Sequence, residues 1–151
     1  MSFRITAIPA DELARIRAAG QDIQGNPFTS REAGGGEPLR CCLRPARTGE
    51  RIALISYRPT GTAGAYAETG PVFVHAQPCE GYPTDGGWPP GFRDRQQVLR
   101  AYDAAGRIAD AILVEGTEAE AGIAKLLADP EHVVVHSRNV LYGCYMFAVS
   151  R

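Results

Sequence analysis

Residues Gln96–Glu115 read QQVLRAYDAAGRIADAILVE, and this stretch decides the fold. Apolar residues alternate with polar ones on both sides of Asp103-Ala104-Ala105-Gly106, a turn signal. So short a connection joins antiparallel strands, because a parallel pair needs a crossover of a dozen residues or more. Leu99 and Ala101 fall on one face of the first strand, and Arg100 and Tyr102 on the other.

Downstream, Thr117-Glu118-Ala119-Glu120 has the form of a capping box, in which Thr117 and Glu120 satisfy each other's amides. Ala119, Ile123, Leu126 and Leu127 then make one apolar stripe of a helix that Asp129-Pro130 ends. His132–His136 and Cys144–Ser150 are two further strands, joined by 137–143. In the last, Tyr145, Phe147 and Val149 share one face, with Cys144, Met146 and Ala148 on the other. A strand apolar on both sides belongs inside a sheet that is covered on both faces, so Cys144 is expected to be buried and inert.

Upstream, Phe3–Ile8 reads as a first strand, and Ala10–Ala19 as a helix with Leu13 and Ile16 inward, stopped by Gly20. Residues 21–38 are rich in Gly and Pro and read as loop, followed by strands at Leu39–Leu43, Arg51–Tyr57 and Val72–Val74. Pro59–Gly70 is a Gly-rich connection, and Pro78–Gly91 is a loop whose Trp88 plugs the edge of the core. The chain of 151 residues is expected to be one α+β domain spanning 1–151, a mainly antiparallel sheet covered by about two helices.

Composition narrows function by exclusion. Sixteen basic residues against 17 acidic ones give a net charge of −1, which lacks the basic face that nucleic acid or an anionic membrane requires. No window is long and apolar enough to span a bilayer. The first residues contain no apolar run of signal-peptide length, so a cytoplasmic location is expected, with Cys41, Cys42, Cys79 and Cys144 as reduced thiols. Lys125 is the only lysine, so any anion site would be built from arginine.

Three constellations carry candidate chemistry. The closing hairpin gathers His136, Asn139 and Cys144, the residue types of a thiol nucleophile with its base. With 136 opposite 143, however, His136 shares a face with Tyr145 and not with Cys144. A second candidate is zinc at His75-x3-Cys79 completed by His136 or Cys144. Spacing supplies no second close pair, so no metal is expected. Cys41 and Cys42, if on a strand, point to opposite faces and do not pair with each other. The third is an anion cleft lined by Arg40, Tyr66, Arg100 and Tyr102, with arginine forks and tyrosine donors. Gly34-Gly35-Gly36 lacks the Gly-Lys-Ser/Thr ending of a phosphate loop.

The segments Phe3-Arg4-Ile5; Arg40 with Leu43-Arg44 and Gly49-Glu50; Tyr66 with Gly70–Val74; Leu99–Ala104 with Gly106; Val114–Thr117; and His136, Asn139 and Gly143-Cys144-Tyr145 carry a family resemblance. They resemble the bacterial family known as domain of unknown function 1203. The resemblance implies no activity, cofactor or catalytic residue. That family often carries cysteine, histidine and arginine where this chain has Leu39, Arg138 and Leu141, which leaves any site built on those positions incomplete here. The leading expectation is a domain that binds a small anionic ligand through the Arg/Tyr set, without a cofactor. An enzyme using His136, Asn139 and Cys144 and a homodimeric assembly module are the alternatives.

Overall fold

In a computed structural model, which describes residues 2–151, the quoted stretch is the expected hairpin: β7 (Gln96–Tyr102) and β8 (Ile108–Glu115) pair antiparallel. Its turn needs Gly106, whose φ is 77°, a conformation open to glycine at little cost. The Asp103 carboxylate fixes the turn by accepting from the backbone N–H groups of Ala105 and Arg107.

Five strands form the first sheet, in the order β1 (Arg4–Thr6), β10 (Tyr145–Ser150), β9 (Val134–Asn139), β7, β8, all antiparallel. A second five-stranded sheet has the order β2 (Arg31–Glu32), β5 (Arg51–Tyr57), β6 (Gly70–His75), β3 (Pro38–Leu39), β4 (Arg44–Pro45). It is antiparallel except for β3 against β6. Helix α1 (Ala10–Ala19) ends at Gly20 with φ 70°, whose N–H returns to the carbonyls of Ile16 and Arg17. The chain is α+β, with its strands divided between two sheets.

Two cores explain the layering. One lies between the first sheet and α2 (Ala119–Leu127), whose predicted stripe Ala119, Ile123, Leu126 and Leu127 is wholly buried. Trp88 and Phe92 close this core over Phe147, with ring centroids at 4.9 and 6.4 Å. The other joins Ile52, Ile55, Val72 and Val74 of the second sheet to Tyr145 and Ala148 of β10 and Leu13 of α1. Strand β10 therefore serves both cores.

Four local expectations are corrected. Leu39–Leu43 is not a strand: two residues pair, and Arg40–Leu43 turn away, with the Leu43 N–H bonded to Leu39 O. Pro38 and Pro45, which face each other, carry no N–H for a longer ladder. The capping box is replaced by a 3-10 turn at Gly116–Glu118, and Glu120 forms a two-pronged ion pair with Arg93, a stronger charge-assisted contact.

The alternation in β10 is broken by a bulge between Tyr145 and Phe147. Met146, Phe147 and Val149 face α2, and Tyr145 with Ala148 faces the second sheet. Cys144 precedes the strand and is half-buried, not buried, with its thiol on the carbonyl of Tyr142.

Phe147→Ala is expected to lower stability by about 3–5 kcal/mol, because it empties the centre of the helix-facing core. Cys144→Ser is expected to change it by less than about 0.5 kcal/mol, as for an ordinary half-exposed position. Denaturant unfolding of both variants checks the pair.

Candidate metal centre

The turn after β3 brings adjacent cysteines to one point. Leu43 takes φ 58°, a left-handed conformation that a bulky residue adopts only under tertiary constraint. Its side chain is buried in the helix-facing core, while Cys41 is buried in the core between the sheets. So anchored on both sides, the turn holds the Cys41 and Cys42 sulfurs 3.9 Å apart.

His75, the last residue of β6, meets them from the neighbouring strand. Its Nδ1 lies 3.4 Å from Cys41 Sγ and 3.7 Å from Cys42 Sγ, and its backbone N–H donates to Cys41 Sγ at 3.2 Å. Cys79 arrives from the loop beyond β6, and all four donor atoms lie within 4.8 Å of one another. That loop is clamped by Arg17 of α1, whose guanidinium donates to the carbonyls of His75, Ala76 and Gln77.

These separations can be compared with a tetrahedron. Zn–S bonds of about 2.3 Å and Zn–N bonds of about 2.0–2.1 Å require S···S edges of about 3.8 Å and S···N edges of about 3.6 Å. The measured Cys41–Cys42 and Cys–His75 distances match within about 0.2 Å, the tolerance such a site allows.

The imidazole is set to coordinate. Nε2 of His75 lies 2.9 Å from Glu50 Oε2, so Nε2 carries the proton given to the carboxylate and Nδ1 presents its lone pair to the sulfurs. Glu50 is itself fixed, accepting both terminal nitrogens of Arg44 at 2.7 Å and the Arg47 backbone N–H at 2.6 Å. The Arg44 guanidinium, then the Arg47 N–H, holds its carboxyl well below the usual carboxylate range.

Cys41 is pushed upward by its contact with the Cys42 thiol and by burial, and burial raises Cys79. Crowded thiols with raised pKa make poor nucleophiles, but a divalent cation lets them share negative charge. A cleft of about 650 Å³, lined by Cys42, Arg44, Glu50, His75 and Cys79 among others, leads to the cluster.

The sequence paired His75 with Cys79 correctly but completed them with His136 or Cys144. Cys41 and Cys42 are the partners instead. The missed signal was Cys-Cys at one loop and His-x3-Cys at the next, hidden because the pair reads as strand. Arg44 and Glu50 stood only among the residues that carry the family resemblance, not as site residues.

The other predicted residues lie elsewhere. His136 is buried, its Nε2 faces the carbonyl of Thr60, and burial with the nearby Arg138 and Arg100 lowers its pKa to about 4. It packs on Tyr145 as expected, with ring centroids 5.0 Å apart. Asn139 Oδ1 accepts the N–H groups of Leu141 and Tyr142, and among the described residues the side chains of His136, Asn139 and Cys144 make no hydrogen bond to one another. Asn139 and Cys144 are joined only through the backbone, the Asn139 N–H donating to Cys144 O at 2.9 Å.

Of the Arg/Tyr set, Arg100 and Tyr102 do meet, at 3.3 Å, but Tyr102 is 0% exposed and not on an open face. Arg40, 2% exposed, donates to the carbonyls of Tyr145 and Pro38, and Tyr66 is 40% exposed on a 3-10 turn. Arg40 and Tyr66 make no hydrogen bond to Arg100 or Tyr102 among the described residues.

A family model described as "Protein of unknown function (DUF1203)" matches residues 36–151. No curated protein and no solved structure matches the chain. The matched span contains all four donor residues, Arg44 and Glu50, and leaves out β1, α1 and β2.

Because the Glu50 carboxyl is depressed in the folded protein, its stabilisation is complete above the unfolded value near about 4.3 and is lost as pH falls below it. Glu50→Gln is expected to cost about 1 kcal/mol at pH 7, with the gap closing below about pH 4. Denaturant melts in a chelating buffer at both pH values measure it.

Proposed function

As the chain belongs to the family of unknown function DUF1203, we propose from its geometry that it is a zinc-binding domain, with Cys41, Cys42, Cys79 and Nδ1 of His75 as ligands. The observation that supports this most directly is the convergence of three sulfurs and one imidazole nitrogen within 4.8 Å, with the Cys41–Cys42 and Cys–His75 separations close to tetrahedral edges. Three thiolates with one histidine are a donor set typical of zinc.

Four protein ligands fill a tetrahedral ion and leave no open position for water or substrate. The site is therefore structural, and its binding energy is folding energy. It ties the turn after β3, the end of β6 and the loop that begins at Cys79. The reading of an enzyme on the closing hairpin draws no support from this centre, because none of its candidates is a ligand. Glu50 acts at one remove, orienting the imidazole.

The purified protein is expected to carry close to one zinc per chain by elemental analysis. Cobalt(II) replacing it is expected to show thiolate-to-metal charge-transfer absorption and tetrahedral d–d bands. Cys42→Ser and Cys79→Ser are expected to lose these bands, Cys144→Ser to keep them, and Glu50→Gln to bind cobalt about 10–100-fold more weakly. Protein without zinc that also gives no charge-transfer band with cobalt would refute the assignment.

A further inference from the structure

The face of the first sheet turned toward the second carries a polar seam: Arg100 of β7 and His136 and Arg138 of β9, roofed by the 59–70 segment. Arg100 donates to Glu68 Oε1 at 2.9 Å, and Arg138 Nη1 lies 3.4 Å from Glu68 Oε2. One carboxylate, itself half exposed, thus faces two guanidiniums, and His136 is neutral at pH 7. The seam holds one positive charge in excess.

That excess lies on Arg138, whose side chain is 8% exposed. Its Nη1 donates to Gly143 O at 2.9 Å. Its Nε is buried with no acceptor, and Nη2 makes no hydrogen bond among the described residues. Nε and Nη2 form one edge of the guanidinium, the fork that takes both oxygens of a carboxylate. A buried N–H without an acceptor, as at Nε, is otherwise disfavoured.

Beside it is a cavity of about 160 Å³, bounded by Tyr57, Glu68, Arg138, Tyr142, Cys144 and Tyr145 among others. At roughly 30 Å³ per water this holds about five small heavy atoms. We propose that this cavity is a binding site for a small monocarboxylate, gripped by the free Nε–Nη2 edge of Arg138, with Glu68 as the internal counter-ion that competes for the same charge. A single excess positive charge matches a monoanion, and a dianion would leave the seam negative. The anion expected from sequence thus moves from Arg40 and Tyr66 to Arg138, next to Arg100. The site shares no residue with the metal centre.

The test uses acetate as the probe at pH 7, against chloride at equal ionic strength. In the full-length protein, NMR of arginine side chains is expected to show the Arg138 Nε–H signal shifting saturably with acetate and not with chloride. Glu68→Gln, a change on a half-exposed side chain, is expected to bind acetate at least about tenfold more tightly once the internal competitor is gone. Arg138→Lys, which keeps the charge and loses the fork, is expected to abolish saturation. The wild-type signal and the Glu68→Gln affinity decide the matter even where Arg138→Lys does not fold. No saturable shift in either wild type or Glu68→Gln, a chloride response equal to that of acetate, or unchanged affinity in Glu68→Gln would overturn the proposal.

Discussion

Strand β10 is apolar on both faces, and that single constraint organises the molecule. One sheet face can be covered by a helix, and α2 with Trp88 and Phe92 does so. The opposite face needs a second layer, which the second sheet supplies through Ile55, Val72 and Val74 against Tyr145 and Ala148. The bulge at Met146 lets the strand keep its large residues on the helix side while Tyr145 points to the other core. Arg40 then ties the two layers, because its guanidinium leaves the cysteine turn and ends on the carbonyl of Tyr145. Burial lowers its pKa to about 10, still far above neutrality, so this bond carries a full charge. The cysteine turn and the central strand are one mechanical unit.

Much of this was legible in the sequence, and the legible parts share a cause. Helix α1 matches Ala10–Ala19 to the residue because Gly20 is a local stop signal. The hairpin around Gly106, the strand Arg51–Tyr57 and the stripe of α2 follow equally from local period and turn chemistry. The misreadings arose where a distant partner overrode a local preference. Glu120 is drawn from the cap by Arg93, 27 positions away. The ladder expected at Leu39–Leu43 gives way to a turn held by two cores, neither of which is local in sequence.

The candidate sites follow the same division. His75 and Cys79 are separated by three intervening residues, so the sequence could join them. Cys41 and Cys42 lie more than thirty residues earlier and reach them only because β3 runs parallel to β6, with Leu39 beside Phe73. Arg100 and Tyr102 were correctly placed on one face, but what covers that face is a loop from the other sheet. Arg138 was not among the predicted site residues; opposite Tyr145 in register, it has the buried Nε–H without an acceptor.

For the zinc site proposed above, the left-handed Leu43 has a consequence for which ions would fit. A turn held at an unfavourable backbone angle by two packed cores does not reshape itself around its guest. The two packed cores set the separation of the Cys41 and Cys42 sulfurs, and Glu50 fixes the plane of the His75 ring. Such a cage selects by stereochemistry. Copper(II), which favours a tetragonal arrangement, binds most thiolate and imidazole sets more tightly than zinc does on intrinsic affinity alone. Here it would have to flatten four donors that the cores hold apart, so rigidity works against the stronger binder and in favour of the ion with no geometric preference of its own.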